Sequence, residues 1–230
     1  MRCRTENICQ HTFLARLNGS SVVVDFGANC GDFSHEIIRM FGSNVFAVEP
    51  VPALVNGIRP NSKLRLFPMA IAGETGSIAI NVFDSRVASL FGKITPEEAI
   101  TTIDVPCMTL AEFKARAGLG HIDLLKVDIE GAELSLFEQS SASDLRDIDQ
   151  LTVEFHDFIY KEMRPRVEAI KEKMASLGFW VLQFSRDNTD VLFVNKTMSI
   201  SRVQLFWMGS VIKYSRGIRR ILRRRLGLTT

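Results

Sequence analysis

The chain has 230 residues, 46% hydrophobic and 23% charged, a balance that fits one globular domain able to bury about 70% of its unfolded surface. The net charge of +2 hides an asymmetry: residues 198–230 carry eight of the 28 basic side chains and no acidic one, so the remainder, with 20 basic and 26 acidic side chains, is net −6. No apolar run approaches the roughly 20 residues of a membrane span, the N-terminus lacks a signal-peptide core, and Cys3, Cys9, Cys30 and Cys107 form no CxxC pair, so free thiols and a cytoplasmic protein are expected rather than a disulfide scaffold or a zinc site.

In chain order, residues 5–18 read as a short amphipathic helix with Ile8, Phe13, Leu14 and Leu17 on its apolar side, making residues 1–20 an N-terminal helical segment. The main domain is expected over 21–197. SVVVDF (21–26) reads as a buried strand, followed by a glycine-bearing turn and a helix that starts at Asp32 or Ser34 and ends near Phe41. NVFAVEP (44–50) and KLRLFPMAIA (63–72) are the next strands. GETGSIAINVF (73–83) turns into an additional strand, 84–99 reads as a loop with a short helix at 96–99, and ITTIDVPCM (100–108) is extended. Thr109 caps a helix to about Ala117. HIDLLKVDIEGAE (121–133) gives a strand, a turn and a helix; QLTVEFH (150–156) is a strand; 163–177 is helical up to Gly178; FWVLQF and DVLFVN form a terminal hairpin-like pair. Strands alternating with helices predict a doubly wound, mostly parallel α/β sheet, with ligands bound at the carboxyl edge of its strands.

The first turn, DFGANCGDFS, decides which ligand. A dinucleotide site wants G-x-G-x-x-G; counted from Gly27, the second and third glycine positions hold Asn29 and Asp32. The Asp32 carboxylate stabilises the following helix dipole and repels an anion placed there. No Gly-Lys-Ser/Thr follows, so a P-loop is excluded as well. Glu49, 22 residues after Gly27, ends the second strand and can accept two hydrogen bonds from a ribose diol. A glycine turn without an anion cradle, next to a ribose-binding acid, fits a nucleoside with a cationic arm. S-adenosyl-L-methionine meets that description. The plainer reading is that Gly27 and Gly31 permit tight packing and that Glu49 is a solvated strand-end acid.

VDFGANCGDFS, VEP, LLKVDIEGAE and VEFH occur in this order at suitable spacings. The set resembles the FkbM family of class I S-adenosylmethionine-dependent methyltransferases, from residue 22 to about 156 and, with the last strand pair, to about 196. The resemblance implies a seven-stranded sheet and methyl transfer to a hydroxyl of a sugar, glycan or small molecule. It also implies that Asp25, Gly27, Asn29 and Gly31 hold the methionine half, that Glu49 with Pro50 of the VEP motif holds the ribose, and that Met69 and Ala70 approach the adenine. One departure is Ala111 in MTLAEF, where the family commonly has aspartate. A helix-capping role for that acid, supplied here by Glu112, would leave the cofactor assignment intact.

KVDIEGAE sets Lys126 and Asp128 on one face of the strand end and Val127 and Ile129 on the other. Lys126 reads as an ion-pair partner of Asp128, Glu130 as a dipole-complementing acid and Glu133 as part of a solvated helix face. VEFH brings Glu154 and His156 to the same edge. Asp128 and His156 are the expected acid–base pair, with Lys126 beside them and the imidazole titrating near neutral pH. No metal is assigned; the alternative is a divalent ion on Asp128, Glu130, Glu154 and His156.

Residues 198–230 read as a basic amphipathic helix. Val203, Trp207, Val211, Tyr214, Ile218 and Ile221 share one face, and Lys213, Arg216, Arg220, Arg223 and Arg224 the other. Packing on the body and peripheral contact with an inner membrane face are the two readings. Nucleic acid is disfavoured by the acidic body. The competing functions are a nicotinamide oxidoreductase, a nucleic-acid methyltransferase and a non-catalytic binding module of the same fold.

Overall fold

The computed structural model describes residues 4–84, 87–89, 101–158 and 161–212. The first element corrects the helix expected over 5–18. Strands β1 (Thr5–Ile8) and β2 (His11–Leu14) form an antiparallel hairpin. Its two-residue turn places Cys9 at φ 47° and Gln10 at φ 69°, the left-handed pair that matches strand twist and that no helix contains. All four side chains of β2 are buried, so the apolar positions follow a strand covered on both sides rather than a helical stripe. Its polar backbone is satisfied from far along the chain. The Leu14 amide donates to Gln150 Oε1 (2.8 Å), the Thr12 amide to Asp190 Oδ1 (3.0 Å), and the Thr12 hydroxyl to Asp190 Oδ2 (2.6 Å).

The remaining elements are β3 (Val22–Phe26), α1 (Asp32–Phe41), β4 (Asn44–Val48), α2 (Pro52–Gly57), β5 (Leu64–Phe67), β6 (Ala70–Ile71), β7 (Gly76–Asp84), β8 (Val87–Ser89) and β9 (Thr101–Met108). They continue with α3 (Leu110–Ala117), β10 (Leu124–Val127), α4 (Glu133–Gln139), α5 (Ala142–Arg146), β11 (Gln150–Val153), α6 (Arg164–Ser176), β12 (Phe179–Gln183), β13 (Val191–Asn195) and α7 (Arg202–Phe206). Seven strands form the central sheet in the order β12-β13-β11-β10-β3-β4-β5. β11, β10, β3, β4 and β5 run parallel, whereas β13 is antiparallel to both of its neighbours. This is the expected doubly wound, mostly parallel sheet of a Rossmann-like class I fold. Both faces are covered, which is why the inner strands are mostly apolar rather than alternating. On one face Val24, Phe26, Leu125, Val127 and Leu151 meet Phe113 of α3, Phe137 of α4 and Met174 of α6. On the other, Val23, Leu124 and Leu192 meet Phe33 and Ile37 of α1 and Phe13 and Leu14 of the hairpin.

A second, four-stranded sheet has the order β6-β9-β7-β8. The single strand expected over 63–72 is divided in two because Pro68 breaks it, and β6 joins this smaller sheet. Within the loop expected over 84–99, Val87–Ser89 instead pairs with β7; the short helix expected at 96–99 lies outside the described residues. Thr109 and Glu112 form a reciprocal capping box at α3, so the acid at Glu112 does the capping that Ala111 cannot.

Of the amphipathic helix expected over 198–230, the described part is the short α7 continued by a π-helical turn over Trp207–Ile212. In this described part the side turned to the body is not the expected one. Met208 is buried and Leu205 partly buried, whereas Val203 and Trp207 are exposed. Tyr214, Ile218, Ile221 and the basic residues from Lys213 onward lie outside the described residues.

Candidate functional site

The parallel strands deliver the turns after β3, β4, β5 and β10 to one edge, where they line an open cleft. Gly27, Asn29, Glu49, Pro50, Ala70 and Asp128, all named from the sequence, line it, together with Met69 and Glu130. Its apolar wall comes from Leu54, Ile71, Ile78 and Ile80, the last two supplied by the small sheet. Among the described residues the lining holds three carboxylates, Glu49, Asp128 and Glu130, and no Lys or Arg.

Gly27 joins the first and fourth of these turns. It has φ 78°, and a Cβ there would lie 1.7 Å from the Asp128 carbonyl oxygen. The packing role weighed for this glycine is therefore real, and it brings the two turns into contact. Asn29 follows at φ 49°, and its amide donates to Glu49 Oε2 (2.8 Å). The Val51 amide donates to Glu49 Oε1 (2.9 Å). Glu49 is thus buried and fixed by one backbone donor on each oxygen, each with lone-pair capacity left for a ligand hydroxyl. Burial pushes its carboxyl up to about 7, against the pull of the two amides.

Asp25, Gly31, Lys126 and His156 do not line the cleft. Gly31, at φ 81°, is the N-cap of α1, packed near Ile58 and His35. Asp32 is exposed in the first turn of α1. Asp25 and Lys126 form a buried layer beneath. They are register partners on β3 and β10, so both point to the same face. Lys126 Nζ donates to the Gly27 carbonyl (2.6 Å) and lies 3.2 Å from Asp25 Oδ1 and 3.4 Å from Asp128 Oδ2. The Ser34 hydroxyl donates to Asp25 Oδ2 (2.6 Å). Burial alone would lower the Lys126 ammonium, but Asp25 and Asp128 hold it well above its ordinary range. Burial would likewise raise Asp128, but Lys126 and the His11 imidazole hold it well below the usual carboxylate range.

The turn after β10 is unusual. Glu130 has φ 51° and Gly131 φ 112°. Glu133 is no part of a solvated face: it is 1% exposed and ties this turn together. Its Oε1 accepts from the Ile129 amide (3.0 Å) and its Oε2 from the Gly131 amide (3.0 Å). It also meets His156 Nδ1 at 3.1 Å. On its other side His156 Nε2 lies 3.3 Å from Glu130 and 3.9 Å from Asp128. Burial alone would lower this imidazole, but the Glu133 hydrogen bond and the charges of Glu133, Glu130 and Asp128 push it up to about 10. These carboxylates favour the protonated imidazole and move it away from the titration near neutral pH expected of a base. Burial and the Asp128 charge push Glu154 up to about 7, and burial also raises Glu130.

Sequence reasoning missed His11, because its segment was read as a helix. His11 is buried and lies 3.5 Å from Asp128 Oδ2. At this edge two trios have ligand atoms close enough to share a cation, His11–Asp128–Glu154 and Asp128–Glu130–His156; a third among the described residues, His121–Asp123–Asp149, lies elsewhere.

The raised pKa of His156 has a consequence for stability. A group whose pKa is higher folded than unfolded contributes stability below its unfolded value of about 6.5 and loses it as pH rises through the folded value. Between pH of about 7.5 and 10 the wild-type melting temperature is expected to fall, and the slope in His156→Gln to be shallower. Equal slopes would contradict the three-carboxylate cage around His156.

A family model described as the methyltransferase FkbM domain matches residues 25–181. Methyltransferase sdnD of Sordaria araneosa is 25% identical over 195 residues, spanning 69% of this chain and 74% of that protein. The crystal structure of methyltransferase FkbM from Methylobacillus flagellatus aligns with a TM-score of 0.52 at 14% identity, covering 78% of this chain. This chain spans 44% of that structure's length, and the likeness shows the fold. The structure of M. capricolum TrmK in complex with S-adenosyl-homocysteine aligns at TM-score 0.46 and 9% identity, covering 94% of this chain and 84% of that one. With more than half of its length matched from the glycine turn to the terminal strands, the chain belongs to the FkbM methyltransferase family.

Proposed function

We propose that the protein is an O-methyltransferase that uses S-adenosyl-L-methionine to methylate a hydroxyl of a sugar, glycan or small molecule. The observation that carries this reading is the cleft lining, which among the described residues has three carboxylates, no Lys or Arg, and an apolar wall. A diphosphate bound there would face uncompensated negative charge, which disfavours the nicotinamide reading. A ligand with a neutral nucleoside and a cationic arm meets complementary charge. In this arrangement Glu49 accepts from the ribose hydroxyls, and Met69, Ala70 and Ile71 receive the base. A diol favours the ionised form of Glu49, so cofactor affinity should weaken as pH falls below about 7.

When bound, the cofactor supplies an activated methyl group on a positively charged sulfur. The chain's own task is to hold an acceptor hydroxyl in line with it, exclude water and take the hydroxyl proton. The role expected of Asp128 and His156 as the base passes to Glu130. His156 already holds its proton, and Asp128 is too weak a base beside Lys126. Glu130 lines the cleft with a raised carboxyl, and His156 holds it at 3.3 Å. Lys126, Asp128 and His156 are positioning residues in this account. Lys126 and His156 set positive charge against four of these carboxylates, Asp25, Asp128, Glu130 and Glu133.

Glu130→Gln is expected to lower kcat by about 10²–10⁴-fold while adenosylhomocysteine binds within a few fold of wild type, measured by radiolabel transfer to a panel of hydroxyl acceptors. Exhaustive chelation should leave turnover unchanged. Turnover of Glu130→Gln within about twofold of wild type would remove the base assignment. Activity abolished by chelation and restored by a divalent ion would instead favour a cation on the trios around Asp128.

A further inference from the structure

The described chain ends on an apolar face that no other described residue covers. Val203, Phe206 and Trp207 stand at helical spacing i, i+3 and i+4 and are 72%, 69% and 57% exposed. Among the described residues, Phe158 at 37% is the other large hydrophobic exposed to this degree, and it lies elsewhere. The opposite side of the segment is seated. Met208 is 1% exposed, and Leu205 packs beside Trp180 and Leu182 of β12. The body thus anchors α7 with its larger apolar side turned outward, the reverse of an ordinary packed helix. Directly after this segment, residues 213–230 contain seven basic side chains and no acidic one.

We propose that this face docks the protein on an anionic lipid bilayer, with Phe206 and Trp207 entering the headgroup boundary and the arginine-rich run lying along the lipid phosphates. Both halves of the chemistry that holds a peripheral segment on a membrane are adjacent here: aromatic and aliphatic side chains, and cations. Among the described residues no helix is long and apolar enough to cross a membrane, so attachment is at the surface. A second copy of the chain is a poor occupant, because joining two such faces would bring two runs of seven basic residues together. The acidic body, net −6 outside 198–230, is repelled by the same leaflet, so the C-terminal end alone makes contact.

The chain has two tryptophans, so Trp180→Phe leaves Trp207 as the sole indole. With that variant, vesicles of equal parts phosphatidylglycerol and phosphatidylcholine are expected to shift Trp207 emission to the blue and to sediment the protein. Pure phosphatidylcholine should do neither, and high salt should release the protein. Phe206→Ser with Trp207→Ser should weaken partitioning by about tenfold or more, and Arg223→Gln, Arg224→Gln and Arg225→Gln together by on the order of a hundredfold. Unchanged thermal unfolding would show that these variants are folded. The proposal is overturned by equal binding to neutral vesicles, by absence of binding, or by Trp207 emission that is already buried before vesicles are added. Tighter binding to single-stranded RNA than to the anionic vesicles, or a solution dimer lost in the Phe206/Trp207 variant, would overturn it in favour of those partners.

Discussion

Lys126→Met is expected to lower the free energy of unfolding by about 3–5 kcal/mol and to abolish turnover. The ammonium is 4% exposed and is shared among Asp25 Oδ1, Asp128 Oδ2 and the Gly27 carbonyl. Removing it leaves a fully buried carboxylate at Asp25 with only the Ser34 hydroxyl beside it. It also frees the Gly27 turn from the strand that carries Asp128. Lys126→Arg is not a rescue, because a planar guanidinium does not fit three acceptors arranged around a point charge. Asp25→Asn on the Lys126→Met background should restore part of the lost stability, since the buried charge is then gone. Chemical denaturation of the two single variants and the double variant measures the coupling. Additive losses would show that Lys126 does not act through Asp25.

Gly27→Ala is the second large effect, about 4 kcal/mol or more. The left-handed backbone at φ 78° alone costs an alanine roughly 1–2 kcal/mol. The larger part comes from the obstacle. A Cβ at 1.7 Å from the Asp128 carbonyl meets backbone, so the turns after β3 and β10 must separate. Gly31→Ala has a nearly equal φ of 81°, yet its Cβ meets the Ile58 Cγ2 atom at 3.1 Å, the end of a side chain that can move. It should cost about 1–2 kcal/mol. The difference between the two variants isolates the contact between the turns. Similar losses for both would mean that backbone conformation, not close approach, explains the glycines.

Much of the sheet was legible because its signals are local. VVVDF and LLKV are covered on both faces and read as strands whose only breaks in apolar character are Asp25 and Lys126. The caps at Thr109 and the stop at Gly178 are short-range chemistry and fell where expected. The N-terminal hairpin was not legible, because what stabilises β2 comes from Gln150 and Asp190, 136 and 178 positions away. Its one local signal, Asn7 to Gln10, carries no glycine to announce a turn.

The site divides in the same way. The cleft-lining residues Gly27, Asn29, Glu49 and Asp128 follow from strand ends and turn composition. The roles of Glu130, Glu133 and His156 do not. A left-handed Glu130 and a Glu133 folded back onto its own turn are invisible in the string EGAE. His156 was assigned a base's role from its ordinary pKa. Only the three surrounding carboxylates, brought in by α4 and the turn after β10, raise its pKa. Likewise Lys126 and Asp25 were each named, but their shared burial follows from strand register.

The account depends on the negative, apolar-walled cleft preferring a positively charged sulfur nucleoside to a dinucleotide. Titration calorimetry of the wild-type protein with S-adenosyl-L-methionine, adenosylhomocysteine and NAD is the direct test. The sulfonium ligand and its product should bind at a one-to-one ratio, Glu49→Ala should weaken both at least about tenfold, and NAD should give no heat. Binding of NAD that competes with adenosylhomocysteine, or failure of the sulfur nucleosides to bind at all, would contradict it.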